Sequence, residues 1–204
     1  MDIKNYLFDF DGTLFDTQKL HAIVEAELLS ENGVLITPAE ISAKYSGVRT
    51  EQFFNELLGD EKLAMNLVER KWEKLLPIAH TAEPLADLHK LFSSLKSQGL
   101  MFGIGTASPV LWVEKILGEN GLGHFFEQGT IIGGDMVSHG KPHPETWQRL
   151  QRGVPSENCL VVEDGVAGVI AAKSANMKFV VIGDTNSRFP EDSKFIKSVF
   201  NLID

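Results

Sequence analysis

The sequence predicts an α/β fold in which a doubly wound parallel sheet carries an inserted, all-helical second domain. Short strand-like runs alternate with helical patterns over most of the 204 residues, an order typical of a parallel sheet covered by helices. The stretch from Asp16 to about Thr81 departs from this order, because its apolar residues recur only at helical spacing. We therefore predict a core domain of residues 1–15 and 82–204 and a helical cap domain of residues 16–81.

Five short runs are predicted to form the strands of the sheet. Each contains β-branched or aromatic residues and is bounded by turn residues. They are Tyr6–Phe8, Met101–Gly105, Thr130–Ile132, Cys159–Val162 and Phe179–Ile182. Helical patterns separate the later strands, so we expect these strands to run parallel.

Four core helices are predicted between or after these strands. Apolar spacing predicts one helix from Leu85 that stops at Gly99, and a second after Ser108-Pro109, with Ser108 as its expected cap. The other two contain Trp147 with Leu150 and the run from Val169 to Ala175. The acidic tail, residues 190–204, is expected to add a final helix against the sheet.

The predicted cap domain contains clear helix boundaries. One apolar helix pattern begins near Leu20 and stops at Gly33, and Thr37–Glu40 has the spacing of a capping box. A later helix is expected to end at Gly59, after which Asp60 can cap the next one.

Composition excludes several classes of function. A formal net charge of −9 disfavours nucleic-acid binding, which needs a basic face. The apolar runs are far shorter than the roughly 20 residues that span a bilayer, and residues 1–4 resemble no cleavable leader. The single cysteine, Cys159, cannot form an internal disulfide and is expected to be buried. We therefore expect a cytoplasmic protein, and we expect a monomer because nothing in the sequence demands more.

Acidic residues follow two of the predicted strands. Asp9 and Asp11 follow the first strand, and Glu163 and Asp164 follow Cys159–Val162. Adjacent carboxylates repel each other unless a cation lies between them. A small set of oxygen ligands favours Mg²⁺, whose coordination is completed by water and substrate phosphate.

Two further segments carry groups that bind anions. Thr106, Ala107 and Ser108 lie at a strand-to-helix junction, where hydroxyl and backbone N–H groups can bind phosphate oxygens. Lys141 is followed by Pro142 and lies in a loop stiffened by two prolines, which can hold the ammonium in one direction. His139 and His143 flank this lysine, but without cysteines or a third histidine nearby we do not expect zinc. The three tryptophans, Trp72, Trp112 and Trp147, are expected to pack in helices.

The ordered set Asp-x-Asp-Gly-Thr, Thr-Ala-Ser, Lys-Pro and Glu-Asp-Gly resembles the haloacid dehalogenase superfamily over essentially the whole chain. The helical insert and residues 163–173 are similar to the branch that contains phosphoglycolate phosphatase and β-phosphoglucomutase. The resemblance implies a Rossmann-like core with a helical cap. It also implies a small phosphorylated metabolite as the substrate and Mg²⁺ as the cofactor.

The resemblance also implies roles for individual residues. Asp9 would attack phosphorus and form an aspartyl phosphate, and Asp11 would protonate the leaving alcohol and later activate water. Lys141 would neutralise Asp9 and the transferring group. Thr106 and the Ala107 N–H would hold the phosphoryl oxygens. The metal site would comprise Asp9, the Asp11 carbonyl, Glu163 and Asp164.

The predicted cap contributes three candidate substrate residues. Thr17 and His21 follow the first strand, and the segment Gly47-Val48-Arg49-Thr50 resembles the substrate-facing loop of related caps. Arg49 is the candidate to bind a carboxylate or second phosphate in a bidentate way, and the alternative is an ordinary surface arginine. Glu83-Pro84-Leu85 and Pro109 depart from the residues usual in the family at these positions, which leaves the substrate undefined.

Three functions are consistent with these residues. We expect a Mg²⁺-dependent phosphatase that acts on phosphoglycolate or a sugar phosphate. Asp11 argues against a dehalogenase, because a halide needs no proton on leaving. A β-phosphoglucomutase-like phosphomutase is the alternative, since it would use the same core residues. A non-catalytic phosphate-binding protein is the third possibility.

Overall fold

The computed structural model describes residues 2–45, 48–185 and 187–202. The chain divides into two compact units, one of Met1–Asp16 with Glu83–Asp204 and the other of Thr17–Ala82. These boundaries lie one residue beyond those expected from the sequence. The difference arises because Asp16 pairs with Glu83 in a short antiparallel ribbon that belongs to the first unit.

All strands of the described residues lie in the first unit, where they form a six-stranded parallel sheet and the two-stranded ribbon. In chain order they are β1 (Asn5–Phe8), β2 (Phe15–Asp16), β3 (Glu83–Pro84), β4 (Met101–Gly105), β5 (Ile131–Ile132), β6 (Cys159–Glu163), β7 (Lys178–Ile182) and β8 (Phe195–Ile196). The order across the sheet is β5-β4-β1-β6-β7-β8, and β2 pairs with β3. The predicted parallel α/β fold is confirmed.

Strand β1 lies at the centre of the sheet, between β4 and β6. Phe8 is aligned with Ile104 on one side and with Val162 on the other. All three side chains are fully buried, as expected for strands covered on both faces. The chain builds the sheet outward from β1 in both directions, so the carboxyl end of β1 is where ligands bind in such folds.

The α-helices of the described residues are divided between the two units. They are α1 (Gln18–Glu31), α2 (Pro38–Tyr45), α3 (Thr50–Leu58), α4 (Glu61–Leu75), α5 (Leu88–Ser97), α6 (Val110–Glu119), α7 (Glu145–Leu150) and α8 (Val166–Ser174). Short 3₁₀ turns occupy Leu76–Thr81, Gly123–Phe125, Gly134–Met136, Ser156–Asn158 and Val199–Leu202. None of these helices is long and apolar enough to span a membrane.

Two predicted elements of the first unit are wrong. Helix α5 begins at Leu88 rather than near Leu85, because the Asp87 carboxylate accepts the backbone N–H of Lys90 and caps the helix there. A final helix was predicted within residues 190–204, but the described residues 190–202 form no α-helix. The described part instead adds the edge strand β8, parallel to β7, followed by a 3₁₀ turn. Phe195 and Ile196 are β-formers whose backbone pairing outweighs a weak helical spacing.

The second unit contains α1–α4, and its helix boundaries follow the sequence signals. Thr37 and Glu40 exchange the hydrogen bonds of a capping box before α2. Gly59 ends α3 with a left-handed backbone, and the Asp60 carboxylate accepts the Leu63 N–H at the start of α4. Helix-capping hydrogen bonds form between residues close in sequence, which is why the sequence predicted these boundaries correctly.

A buried ion pair connects three helices of the second unit. Lys71 on α4 donates to the Glu25 carboxylate on α1 at 2.7 Å and to the Thr50 hydroxyl on α3 at 2.8 Å. The Thr50 hydroxyl also donates to Glu25 at 3.2 Å. Buried charges of this kind are stable only with their partners in place, so the pair fixes how α1, α3 and α4 pack.

Candidate active site

Asp9 lies at the carboxyl end of β1, and its side chain is nearly buried. The Asp9 N–H continues the sheet by donating to the Val162 carbonyl at 2.9 Å, and its side chain is only 9% exposed. Gly12, the residue after Asp11, has φ = 93°, a conformation that favours glycine and lets the chain turn back sharply. Asp9 and Asp11 are thereby held at the end of a central strand.

Lys141 is the buried cation beside Asp9. Its ammonium donates to Asp9 Oδ1 at 2.6 Å, to Glu163 Oε1 at 2.7 Å and to the Gly105 carbonyl at 2.9 Å. It also lies 4.2 Å from the ring centroid of Trp147. Burial alone would lower the pKa of Lys141, but the carboxylates of Asp9 and Glu163 raise this pKa above its ordinary value. Lys141 is therefore a permanent positive charge at the end of the sheet.

Glu163 and Asp164 complete an acidic cluster with Asp9. One ligand oxygen from each of the three carboxylates lies within 4.8 Å of the others. Glu163 is held by Lys141 and by the Gly165 N–H, which donates at 2.6 Å. Asp164 accepts the Thr13 hydroxyl at 3.1 Å.

The charges of this cluster fit a divalent cation. Three carboxylates and one ammonium leave a formal charge of −2. Burial, followed by the charge of Glu163, raises the pKa of Asp9 well above its usual range and that of Asp164 to about 7. A hard dication would relieve this repulsion, and the all-oxygen donor set suits Mg²⁺. Asp9, Glu163 and Asp164 therefore fit the predicted metal, whereas the Asp11 carboxylate lies outside this group.

Because Gly168 on α8 has no side chain, the Glu163 carboxylate can lie against it. A Cβ at this position would lie 1.6 Å from Glu163 Oε1 and 2.1 Å from its carboxyl carbon. We expect Gly168→Ala to push the carboxylate away from Lys141 and to weaken Mg²⁺ binding by about ten- to a hundredfold, the usual cost of disturbing a ligand's support. Calorimetric titration with Mg²⁺ measures this change.

Gly118→Ala provides the matched control for this substitution. Gly118 lies within α6, and a Cβ there would meet nothing within 4 Å. The variant should keep the Mg²⁺ affinity of the wild type, and its stability should be equal or higher. Equal Mg²⁺ affinities in the two variants would show that Glu163 does not need the space at Gly168.

Three side chains of the first unit donate hydrogen bonds to the Asp11 carboxylate. Ser108 Oγ and Thr106 Oγ1 donate to Oδ2 at 2.7 and 3.0 Å, and Trp112 Nε1 donates to Oδ1 at 3.0 Å. Ser108 is therefore not the predicted helix cap. The first residue of α6, Val110, donates its N–H to Asp135 at 3.0 Å instead, because the Ser108 hydroxyl is directed at Asp11.

The loop from Gly105 to Pro109 brings Thr106 and Ala107 to the same edge of the sheet as Asp11. Gly134 allows a close approach from the neighbouring turn, since a Cβ there would lie 2.2 Å from the Ala107 carbonyl oxygen. The Gly134 N–H donates to the Ser108 carbonyl at 2.9 Å. The Thr106 hydroxyl donates to the Asp11 carboxylate from this loop.

The predicted cap residues belong to the second unit. Thr17 is buried before α1, and the His21 ring lies edge-on to Trp72 of α4, with centroids 5.4 Å apart. Arg49 is exposed and pairs with Glu51 at 3.3 Å. Gly47 lies outside the described residues. The roles of these residues in substrate binding stay predictions.

Sequence reasoning missed several residues that support the site. Trp112 and Trp147 were expected only to pack, yet the first donates to Asp11 and the second lies against Lys141. A signal existed for Trp112, because the first turn of a helix that follows a strand end faces the site. Glu145 was also missed. It accepts the N–H groups of Ser138 and His139 at 3.0 Å and fixes the loop before Lys141.

Comparison with known proteins identifies the family. Residues 6–182 match the family model described as haloacid dehalogenase-like hydrolase. The chain is 30% identical over 186 residues to the putative phosphatase YhcW of Bacillus subtilis, an alignment that covers 88% of this chain and 83% of the relative. It is 32% identical over 184 residues to the fructose-1-phosphate phosphatase YqaB of Escherichia coli, covering 85% and 93%.

Solved structures share the fold. A putative phosphoglycolate phosphatase from Lactobacillus plantarum superposes with a TM-score of 0.88 at 22% identity, covering 100% of this chain and 99% of that one. A β-phosphoglucomutase from Clostridium difficile gives 0.81 at 23% identity, covering 98% and 93%. The family match over residues 6–182 confirms the resemblance noted in the sequence. The chain belongs to the haloacid dehalogenase-like hydrolases.

Proposed function

We propose that this protein is a Mg²⁺-dependent phosphatase that hydrolyses a small phosphomonoester through an aspartyl phosphate on Asp9. The observation that carries the proposal is the position of Asp9. Its carboxylate lies at the end of a central strand, beside one buried lysine and two further carboxylates. The fructose-1-phosphate phosphatase of Escherichia coli, which aligns with 85% of the chain, supports a sugar phosphate as the substrate class.

The first half of the reaction transfers the phosphoryl group to the protein. An Asp9 oxygen attacks phosphorus while the P–O bond of the ester breaks, and Asp11 gives a proton to the leaving oxygen. Lys141 offsets the negative charge of Asp9 and of the transferring group, which would otherwise repel each other. Thr106 and the Ala107 N–H bind phosphoryl oxygens, so the Thr106 hydroxyl must turn from Asp11 to the substrate.

The second half releases phosphate. Asp11 takes a proton from a water molecule whose oxygen attacks phosphorus, and the bond to Asp9 breaks. Asp9, Glu163 and Asp164 hold the metal, whose chemistry when bound is to neutralise phosphoryl oxygens. The Arg49 guanidinium is the candidate to bind a carboxylate or second phosphate of the substrate. The cytoplasmic location and the monomeric state stay predictions.

Phosphate release from a panel of small phosphomonoesters tests this function. The panel includes fructose 1-phosphate, hexitol phosphates and phosphoglycolate, each measured with Mg²⁺ and with a chelator. We expect release with Mg²⁺ on at least one of them and no release with the chelator. Metal-independent release would contradict the proposed metal role. Tight substrate binding without turnover would indicate the non-catalytic alternative.

The phosphomutase alternative uses the same core residues. The structural neighbour named as a β-phosphoglucomutase is 23% identical, and a likeness at that level concerns the fold alone. The two reactions differ in whether the phosphoenzyme returns its phosphoryl group to a bound sugar. Product analysis with a hexose 1-phosphate separates them, because a mutase yields the 6-phosphate and a phosphatase yields free sugar and phosphate.

A further inference from the structure

The two oxygens of the Asp11 carboxylate accept hydrogen bonds from different kinds of donor. An indole N–H can only donate, whereas a hydroxyl can donate or accept. Oδ1 accepts the Trp112 indole, and Oδ2 accepts the Ser108 and Thr106 hydroxyls. When the carboxyl group gains or loses a proton, the hydroxyls on Oδ2 can reorient between donating and accepting, whereas the indole on Oδ1 cannot.

We propose that Trp112 and Ser108 are positioning residues that fix the Asp11 carboxylate so that Oδ2 is the oxygen that exchanges protons with the leaving group and with water. This inference rests on the proposed function, because it deepens the role of Asp11. Trp112 is fully buried and Ser108 is 5% exposed, so water competes little for these bonds. Trp112 lies in the first turn of α6, and Ser108 lies two residues before this helix.

Thr106 connects this arrangement to substrate binding. Its hydroxyl is bonded to Asp11 Oδ2 in this structure, and the proposed reaction needs it on a phosphoryl oxygen. When the Thr106 hydroxyl turns to phosphate, one acceptor position on Oδ2 opens for the leaving oxygen. Ser108 and Trp112 remain bonded and keep the carboxylate from rotating, which preserves the geometry for proton transfer.

The proton balance follows from this geometry. In the first step the ester P–O bond breaks, and the leaving oxygen takes the proton from Oδ2. In the second step the attacking water loses its proton to Oδ2 as the bond between phosphorus and Asp9 breaks. The carboxyl group therefore begins and ends each turnover in the same state.

A leaving-group comparison tests the role of Trp112. Trp112→Phe keeps an aromatic ring in the core but removes the N–H donor. We expect its kcat/KM on an alkyl phosphate, which reports the step in which the leaving group departs, to fall about ten- to a hundredfold, part of the contribution of general acid–base catalysis. Its kcat/KM on p-nitrophenyl phosphate should change little, because nitrophenolate leaves without a proton. Equal losses on both substrates, or no loss, would overturn the proposal.

The Ser108 variants and Asp11→Asn separate this inference from the proposed function. Ser108→Ala should show the same dependence on the leaving group, and Ser108→Thr, which keeps the hydroxyl, should restore the alkyl phosphate rate. Asp11→Asn should show the dependence most strongly. If Asp11→Asn lowers kcat/KM equally on the alkyl phosphate and on p-nitrophenyl phosphate, the acid role itself fails, whatever Trp112 does.

A spectroscopic readout is independent of turnover. The chain has three tryptophans, so its ¹⁵N-labelled protein gives three indole N–H signals, and Trp112→Phe assigns one of them. A change in the group that accepts its hydrogen bond shifts such a proton. We expect the Trp112 signal to move in Asp11→Asn while the other two stay in place. An unmoved Trp112 signal would overturn the proposed contact even in a protein without detectable activity.

Discussion

Asp9→Asn is expected to lower phosphomonoester hydrolysis by about 10⁴-fold or more, the scale on which a covalent catalyst loses its attacking group. The amide has nearly the same shape as the carboxylate but is a much weaker nucleophile. Lys141 keeps Glu163 and the Gly105 carbonyl as partners in this variant, so the fold should persist. Steady-state phosphate release on the best substrate of the panel measures the loss.

Two controls support the interpretation of Asp9→Asn. Its thermal unfolding temperature should stay close to that of the wild type, which excludes simple loss of structure. Asp9→Glu keeps the charge but moves the carboxylate, and a displacement of about 1 Å can cost on the order of 100-fold in rate. Full activity in Asp9→Asn would mean that another group attacks phosphorus.

Lys141→Met is the second substitution with a large expected effect. It removes the ammonium that lies 2.6 Å from Asp9 and 2.7 Å from Glu163, while keeping most of the side-chain volume. We expect kcat/KM to fall by about 10²- to 10³-fold, as when one electrostatic stabiliser of a transition state is lost. The same panel substrate and a saturating Mg²⁺ concentration are used for the comparison.

Lys141→Met should also destabilise the metal-free protein. Both carboxylates are almost fully buried, and removing one partner of such a pair costs about 3–5 kcal/mol. Mg²⁺ binds the folded state and should restore part of the loss. Urea unfolding with a chelator and with Mg²⁺ measures both effects.

Lys141→Arg is the charge-preserving control for Lys141→Met. It keeps the positive charge but brings a larger planar group against Trp147, so it should not recover full activity. A metal-free Lys141→Met protein as stable as the wild type would contradict the assigned ion pairs.

Five strands of the sheet and most helix boundaries could be predicted because their causes are local, whereas the short ribbon of β2 and β3 was not predicted. Asp60 and the Thr37–Glu40 capping box act within one turn of the helix they begin. The tail could not be predicted in this way, because β8 depends on pairing with β7. Ser108 was assigned to a helix cap for the same reason, since its actual partner, Asp11, is far away in the sequence.

In the candidate site, too, some residues could be predicted from the sequence and others could not. Motif order indicated Asp9, Lys141, Glu163 and Asp164, and the folded chain brings these four together. Supporting residues such as Trp112 and Gly168 carry no reactive group. Their importance comes from a hydrogen bond and from free space, which only the folded chain defines.

Trapping the phosphoenzyme tests the central claim most directly. The wild-type protein is mixed with its best substrate and Mg²⁺, quenched in acid during turnover and mapped by mass spectrometry. We predict a phosphoryl adduct on the peptide that contains Asp9, and no adduct in Asp9→Asn. A phosphoryl group on any other residue, or its persistence in Asp9→Asn, would contradict the assignment of Asp9 as the nucleophile.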